Sequence, residues 1–213
     1  MADTEINPII RGEKVYLRPF EMSDRDAYKR WRADADPMAT AEFGYRAPLS
    51  DAEVDSYLGS RADQQGKPDY QFVICMLDDD KAIGNIMLIG HDLRRRSAEL
   101  GIVIGESDHR GKGYGSDAIN AILDFAFGEL GLERVSLSTL AANEAGRRAY
   151  EKAGFKLEGT ARSATFNRGR FHDTTLMGVV RGDWEKLKRK RSWEYSDADR
   201  PKPKRKGTGF RKE

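Results

Sequence analysis

The sequence predicts an α/β fold, a mixed and mostly antiparallel sheet of six to seven strands flanked by about four helices. Two observations lead to this prediction. Short alternating or continuous apolar segments recur along the chain between turn signals, as strands do, and four other segments have the spacing and capping residues of helices. Two of these helical segments separate strands in the second half of the chain. Such connections cross over the sheet, which mixes parallel with antiparallel pairing.

The predicted elements follow in order. The first strand alternates between apolar and polar residues and stops at Pro19. The acidic turn at residues 78–80 joins the second strand to the third, and residues 167–169 form the turn between the last two. The predicted strands are 13–19, 71–77, 82–89, 98–104, 134–139, 155–164 and 170–180. The predicted helices are 24–32, 51–63, 116–127 and 143–154.

The composition suits one folded domain. A chain of 213 residues with 38% hydrophobic content can bury a sizeable core. No apolar run approaches 18 residues, and residues 1–5 lack the basic start of a signal peptide, so we expect a cytoplasmic protein without a membrane partner. The single cysteine, Cys75, lies in an apolar run and is expected to be a buried thiol. The three histidines lack metal-ligand spacing, and no metal site is predicted.

The charge is distributed unevenly. Residues 186–213 contain twelve Lys or Arg and four Asp or Glu, a net charge of +8, whereas the rest of the chain carries −6. We therefore predict a folded domain at residues 1–184 and a basic, flexible tail at residues 185–213. An acidic domain suits a cationic substrate such as an amine. The tail could contact RNA or a ribosome through phosphate groups, or be solvated without a partner.

A glycine-rich stretch, residues 110–115, lies between a predicted strand and a predicted helix. Its glycines allow successive backbone N–H groups to point the same way at the start of a helix, which is an anion-binding geometry. It is not a P-loop, because Lys112 is followed by Gly113 rather than by Ser or Thr. A dinucleotide fingerprint would need an acidic residue about 20 positions later, and the chain has none there.

The stretch fits a third pattern, Arg/Gln-x-x-Gly-x-Gly/Ala. A second motif follows downstream, where Asn143 starts a helix, Tyr150 lies two helical turns later on the same face, and Glu-Lys-x-Gly-Phe completes it at residues 151–155. With both motifs, residues 13–183 resemble the GNAT superfamily of N-acetyltransferases. The segments 16–20 and 162–177 resemble its branch of ribosomal-protein N-terminal acetyltransferases and spermidine acetyltransferases.

The resemblance implies acetyl-CoA as cosubstrate and a set of residues that hold it. In the family the glycine loop binds the pyrophosphate, the asparagine contacts the pantetheine arm, and the central strand separates from its neighbour to admit that arm. One departure is Gly146, where the family often has a serine, so one polar contact to the cofactor is missing. The implied cofactor-binding residues are Ile102, Val103, Ile104, Arg110, Gly111, Lys112, Gly113, Tyr114, Gly115, Asn143 and Arg147.

Two residues are candidates for catalysis. The resemblance places the Tyr150 hydroxyl near the thioester sulfur, where it would protonate the departing thiolate; alternatively Tyr150 is a core aromatic. Glu99 shares a strand face with Gly101, and many relatives use a glutamate there as a base acting through a water; alternatively Glu99 faces solvent or is paired. A backbone N–H near residues 102–104 would stabilise the oxyanion.

The acceptor amine is expected to be a protein N-terminus, a polyamine or another small amine. Residues that choose it are expected in the irregular segment 36–46, with Glu42, Phe43 and Tyr45 as the candidates, and in the last hairpin near Phe166 and His172. Two other functions stay open at this point, a non-catalytic acetyl-CoA sensor and an RNA-binding protein that acts through its tail. A monomer and a homodimer are equally compatible with the sequence.

Overall fold

The computed structural model describes residues 10–33, 49–62, 69–92, 94–196 and 199. Within these residues one sheet contains eight strands in the order β1-β2-β3-β4-β5-β6-β8-β7. All neighbours pair antiparallel except β5 and β6, which are parallel. The strands are β1 Ile10–Arg11, β2 Val15–Arg18, β3 Tyr70–Met76, β4 Ala82–Asp92, β5 Ser97–Ile104, β6 Arg134–Leu140, β7 Lys156–Asn167 and β8 Arg170–Val180.

Five α-helices accompany the sheet in the described part of the chain. They are α1 Arg25–Arg32, α2 Asp51–Ala62, α3 Tyr114–Asp124, α4 Glu144–Lys152 and α5 Arg181–Glu185. A π-helical turn, Phe125–Glu129, continues α3. The predicted mixed α/β fold is confirmed, with slightly more elements than expected. The two residues of β1 are too few to show a period, and the short helix α5 begins directly after β8.

The helices cover both faces of the sheet. On β3, Ile74 packs into a large core with α3 and α4, and the next residue, Cys75, packs into a smaller core with α1 and α2. Successive strand residues point to opposite faces, so one strand feeds both cores. The Cys75 thiol is buried, as predicted, and burial raises its pKa.

The two parallel strands separate along their length. Their described pairing covers Ser97–Glu99 of β5 and Arg134–Ser136 of β6, although β5 continues to Ile104 and β6 to Leu140. Beyond Glu99, β5 pairs with β4 on its other side only. The sheet is therefore open between β5 and β6, which is the separation that the family resemblance implied.

The segment after α5 differs from the expected tail. Asp124, at the end of α3 and only 1% exposed, accepts hydrogen bonds from Trp184 Nε1 at 2.9 Å, from Arg189 at 2.6 and 2.8 Å, and from the Ser192 N–H at 2.8 Å. A buried carboxylate requires such donors. Residues 186–196, here named the C-terminal segment, therefore pack on the domain, and the predicted boundary at residue 185 does not separate it from a free tail there. Residues 200–213 of the predicted tail lie outside the described residues.

Candidate active site

The glycine loop has the backbone conformation that its sequence predicts. Gly111 and Gly113 have φ values of +71° and +87°, in the left-handed region that favours glycine, and Gly113 is the N-cap of α3. The first backbone N–H groups of a helix have no acceptor within it. Those at the start of α3 are therefore available to an anion, and the helix dipole adds to their attraction.

Arg110 ties this loop to the end of the central strand. Its Nε donates to the carbonyl of Ile104 at 2.8 Å, and its Nη2 donates to the carbonyl of Gly105 at 3.3 Å. The side chain thus fixes the loop relative to β5 from the cavity wall. Its predicted contribution of charge near a pyrophosphate stays a prediction.

A half-buried carboxylate supports the loop from behind. Asp117, in the first turn of α3, accepts the backbone N–H groups of Glu13, Lys14 and Val15 at 3.0, 2.8 and 3.0 Å. Burial raises the pKa of Asp117, and the three N–H groups offset this shift only in part. Lys14 Nζ in turn donates to the carbonyl of Lys112 at 3.3 Å. The β1–β2 turn is therefore attached both to α3 and to the glycine loop.

Helix α4 begins at Asn143, as predicted. The Asn143 side chain accepts from the Gly146 N–H at 2.9 Å, and its Nδ2 donates to Thr139 Oγ1 at 3.0 Å. Both ends of this amide are engaged within the protein. On the same helix Tyr150 is 4% exposed and meets the ring of Phe155 edge-on at 6.0 Å.

These elements enclose a cavity of about 740 Å³. It extends from the glycine loop to α4 past the unpaired end of β5. The predicted residues that line it are Ile102, Val103, Ile104, Arg110, Gly111, Gly113, Gly115, Asn143 and Tyr150. The structure thus brings the general-acid candidate and most of the cofactor candidates to one cavity.

Three predicted cofactor residues lie outside its lining. Lys112 is exposed, Tyr114 lies beside the His109 ring at a centroid distance of 5.8 Å, and Arg147 pairs with Glu151 at 3.0 Å. Arg148 lines the cavity in place of Arg147.

Sequence reasoning missed five lining residues with polar side chains, Glu144, Arg148, Lys152, His109 and Ser116. Their spacing could have indicated the first three, because residues four apart share one helix face. The Nδ1 atom of His109 is buried without a hydrogen-bond partner in the described structure. No sequence signal pointed to that residue.

Glu99 lies outside the cavity lining, at the point where the strands separate. It is the last β5 residue paired with β6 and faces away from the large core, because its neighbours Ala98 and Leu100 are buried there. Its carboxylate accepts from Ser138 Oγ at 3.2 Å, and the residue is exposed. This position agrees with an exposed, paired residue and also with a base on the face opposite α3 and α4.

The predicted acceptor residues Glu42, Phe43 and Tyr45 lie outside the described residues. What the structure describes there is the anchor of α1, which precedes them. Trp31 Nε1 and Arg30 Nη2 both donate to Glu106 Oε1 at 3.0 Å. Partial burial raises the pKa of Glu106, but these two donors lower it further, so the net shift is downward. The end of α1 is thereby fixed to the loop that follows β5.

The cavity fits the proposed cosubstrate on three counts. Its volume and elongated lining suit a long molecule, and the start of α3 offers N–H groups to phosphates. Arg148 and Lys152 lie on one wall with Glu144, which pairs with Arg148 at 3.5 Å, so this wall has one positive charge in excess. The orphaned Nδ1 of His109 offers a further hydrogen bond. A ligand with phosphates and a polar arm would satisfy these groups.

Comparison with known families decides the assignment. Residues 14–156 match the family model described as an acetyltransferase (GNAT) domain. The chain belongs to the GNAT acetyltransferases. It is therefore an acetyl-CoA-dependent N-acetyltransferase, as the two sequence motifs indicated.

Individual relatives agree with this assignment. The chain is 28% identical over 191 residues to the probable N-acetyltransferase YjcK of Bacillus subtilis, covering 83% of this GNAT protein and 99% of the relative. It is 33% identical over 102 residues to the spermidine N(1)-acetyltransferase of Vibrio cholerae, covering 48% and 58%. The crystal structure of the spermidine N-acetyltransferase from Vibrio cholerae in complex with CoA and spermine superposes with a TM-score of 0.71 at 26% identity, covering 80% and 98%.

Two further features concern metals and membranes. Among the described residues, no group of three or more His, Cys, Asp or Glu side chains is arranged to hold a metal ion. In the same part of the chain no helix is long and apolar enough to span a bilayer.

Proposed function

We propose that this GNAT acetyltransferase transfers the acetyl group to a primary amine by direct attack, with both substrates bound at once. The opening between β5 and β6 carries the proposal. It gives the large cavity access to backbone groups at residues 102–104, while the glycine loop and Tyr150 lie on the walls of the same cavity. One elongated thioester could therefore contact all three.

The phosphate end of the cosubstrate is assigned to the glycine loop. The N–H groups at the start of α3 donate to the pyrophosphate, and Arg110 keeps the loop in register with β5. Arg148 and Lys152 lie on the opposite wall, where their charges complement phosphate oxygens. Lys112 and Arg147 are assigned outer positions, near the adenosine 3′-phosphate.

The reaction then requires three contributions from the chain. Acetyl-CoA supplies the acetyl group as a thioester, whose carbon–sulfur bond breaks as the amine nitrogen bonds to the carbonyl carbon. A backbone N–H on the unpaired part of β5 donates to the carbonyl oxygen as charge develops on it. The Tyr150 hydroxyl gives its proton to the departing sulfur. A nearby base receives the proton that the amine loses.

Glu99 is assigned that role, through a bridging water. At pH 7, freeing an amine of pKa about 7.8 costs roughly 1 kcal/mol, whereas an amine of pKa about 10.4 costs roughly 4.6 kcal/mol. A base is thus needed far more for an alkyl amine than for a peptide N-terminus. Replacing Glu99 with Gln should slow the acetylation of a polyamine strongly and that of a peptide weakly. If the variant acetylates both acceptors as fast as the unmodified protein does, Glu99 does not act in the mechanism.

The acceptor is assigned to the cationic primary amines, with polyamines ahead of protein N-termini. The spermidine acetyltransferase among the relatives supports this order, as does the acidic charge of residues 1–185. A protein N-terminus would be the better acceptor if the basic residues of the tail held the enzyme at a ribosome. Arg189 and Lys190 of the C-terminal segment are engaged with Asp124 and Asp199, which reduces the charge available for that contact.

The test measures free CoA released from acetyl-CoA with spermidine, lysine, an aminoglycoside and peptides with free N-termini. Tyr150→Phe keeps the ring packing and removes the proton donor. We expect turnover on one acceptor class and its loss in this variant. Tyr70→Phe is the matched control, because the Tyr70 ring packs against Phe125 away from the cavity. Full activity of Tyr150→Phe would contradict the acid assignment, and tight acetyl-CoA binding without turnover on any acceptor would favour a sensor.

A further inference from the structure

A second and smaller cavity lies between α3, the β1–β2 turn and the C-terminal segment. Its volume is about 120 Å³, and it shares no lining residue with the cofactor cavity. At roughly 30 Å³ for each water, this space corresponds to about four waters or one very small organic molecule. The residues important to the argument are Arg11, Glu13, Asp117, Asn120, Asp124 and Arg189.

Arg11 is unusual among them. It is 2% exposed, and its hydrogen bonds go to neutral carbonyls, from Nε to Gly12 at 3.4 Å and from Nη1 to Ser196 at 3.3 Å. Its guanidinium also lies 5.2 Å from the centre of the Tyr195 ring. Its Nη2 has no hydrogen-bond partner, and none of the ion pairs in the described structure includes Arg11. A buried guanidinium without an anion is costly, so this site favours a negative ligand.

Two more polar atoms of the lining are unmatched. Arg189 Nε and Asn120 Oδ1 are both buried without a hydrogen-bond partner. The first is a cationic donor and the second a neutral acceptor. A ligand that satisfies both, together with Arg11, needs anionic oxygens and one donor.

The carboxylates of the lining do not meet this demand. Asp117 accepts three backbone N–H groups, and Asp124 is bonded to Trp184, Arg189 and Ser192. Glu13 contributes a third negative charge from an exposed position. Against Arg11, Arg189 and Lys190, these charges leave the lining close to neutral overall. A singly charged ligand therefore fits better than a polyanion.

We propose that this cavity binds a small carboxylate that carries a hydroxyl or amino group next to its carboxyl group. The carboxylate accepts hydrogen bonds from Arg11 Nη2 and Arg189 Nε, and the hydroxyl or amino group donates to Asn120 Oδ1. Glycolate is the smallest hydroxy acid of this class, and acetate lacks the donor. The site is separate from acetyl transfer and stands whether or not the amine assignment is correct.

The first experiment is isothermal titration of the full chain with glycolate, acetate and inorganic phosphate, with CoA at saturation to block the large cavity. We expect saturable binding of glycolate and about tenfold weaker binding of acetate, the effect of one hydrogen bond. Saturable binding of phosphate but not of glycolate would overturn the carboxylate assignment. Absence of saturable binding for all three would mean that the cavity holds water only. Glycolate binding that is seen in a parallel titration without CoA, and not with CoA at saturation, would place glycolate in the large cavity and overturn the proposal.

The second experiment uses variants. Arg11→Met keeps an unbranched apolar stem at this position and removes the hydrogen-bond donors, and glycolate binding should weaken at least about tenfold. Asn120→Leu should remove the preference for glycolate over acetate, and it carries the test if Arg11→Met does not fold. Arg95→Met is the control, because Arg95 is exposed and lies on another loop. Unchanged glycolate binding in both cavity variants would overturn the proposal.

Discussion

Asn143 and Gly146 form a closely fitted pair at the start of α4. The Asn143 side chain accepts the Gly146 N–H at 2.9 Å, and a β-carbon on residue 146 would lie 2.5 Å from the Asn143 Nδ2. Gly146 therefore does more than replace a serine that would contact the cofactor. It gives the amide of Asn143 the space in which to cap the helix.

Gly146→Ala should displace that amide. The helix gains about 1 kcal/mol of propensity, and loss of the cap costs about the same, so we expect little net change in the free energy of unfolding. The displaced amide alters the cavity wall, and the Kd of acetyl-CoA should rise several-fold by titration calorimetry. Gly59→Ala on α2, where a β-carbon meets nothing within 4 Å, is the control and should only stabilise. An unchanged Kd would contradict the close fit.

Asp124→Asn should be strongly destabilising. The substitution removes the charge that compensates Arg189 at 2.6 Å and faces Arg191 at 3.6 Å. Breaking a buried ion pair by changing one partner costs about 3–5 kcal/mol, which urea unfolding would measure. Glu144→Gln is the control, because its pair with Arg148 is exposed and should contribute less than about 1 kcal/mol. If the two substitutions lowered the free energy of unfolding equally, the C-terminal segment would contribute little to the stability of the domain.

Asp51 connects α1 and α2 in a pH-dependent way. Hydrogen bonds from Lys29 and Arg25 lower its pKa from 3.8 to about 2. Because the folded pKa lies below the unfolded one, the stabilisation is present above pH 4 and is lost as the pH falls towards 2. Asp51→Asn should therefore lower the urea midpoint of unfolding at pH 5 to 7. Near pH 2 the midpoints of the variant and of the unmodified protein should approach each other. Asp26→Asn, in the exposed first turn of α1, is the matched control for the change of charge.

The parts of the site that sequence predicts are those encoded locally. Gly111 and Gly113 adopt positive φ, and Asn143 caps its helix, because such patterns depend on residues only a few positions apart. Tyr150 follows from Asn143 by helical spacing. These four positions depend on no long-range contact, and all of them line the cofactor cavity.

The other contacts join distant parts of the chain. Arg189 reaches Asp124 across 65 residues, and Lys14 reaches Lys112 across 98. In the sequence alone, charged residues near the end of a chain look the same whether they are solvated or paired with a buried partner. For the same reason the orphaned Arg11, inside a two-residue strand, carried no signal. The contacts that the sequence does not predict are therefore those between charged residues and partners far away in the chain.

Asp117→Asn should weaken cosubstrate binding without affecting the chemistry. An asparagine keeps one acceptor oxygen, so it cannot receive all three N–H groups of residues 13–15, and the support behind the glycine loop loosens. We expect the Kd of acetyl-CoA to rise by about tenfold, equivalent to one lost charge-assisted hydrogen bond, with kcat at saturating acetyl-CoA nearly unchanged. Asp108→Asn, exposed in the turn just before the loop, is the matched control. A fall in kcat with an unchanged Kd would mean that Asp117 acts on the reaction rather than on the loop.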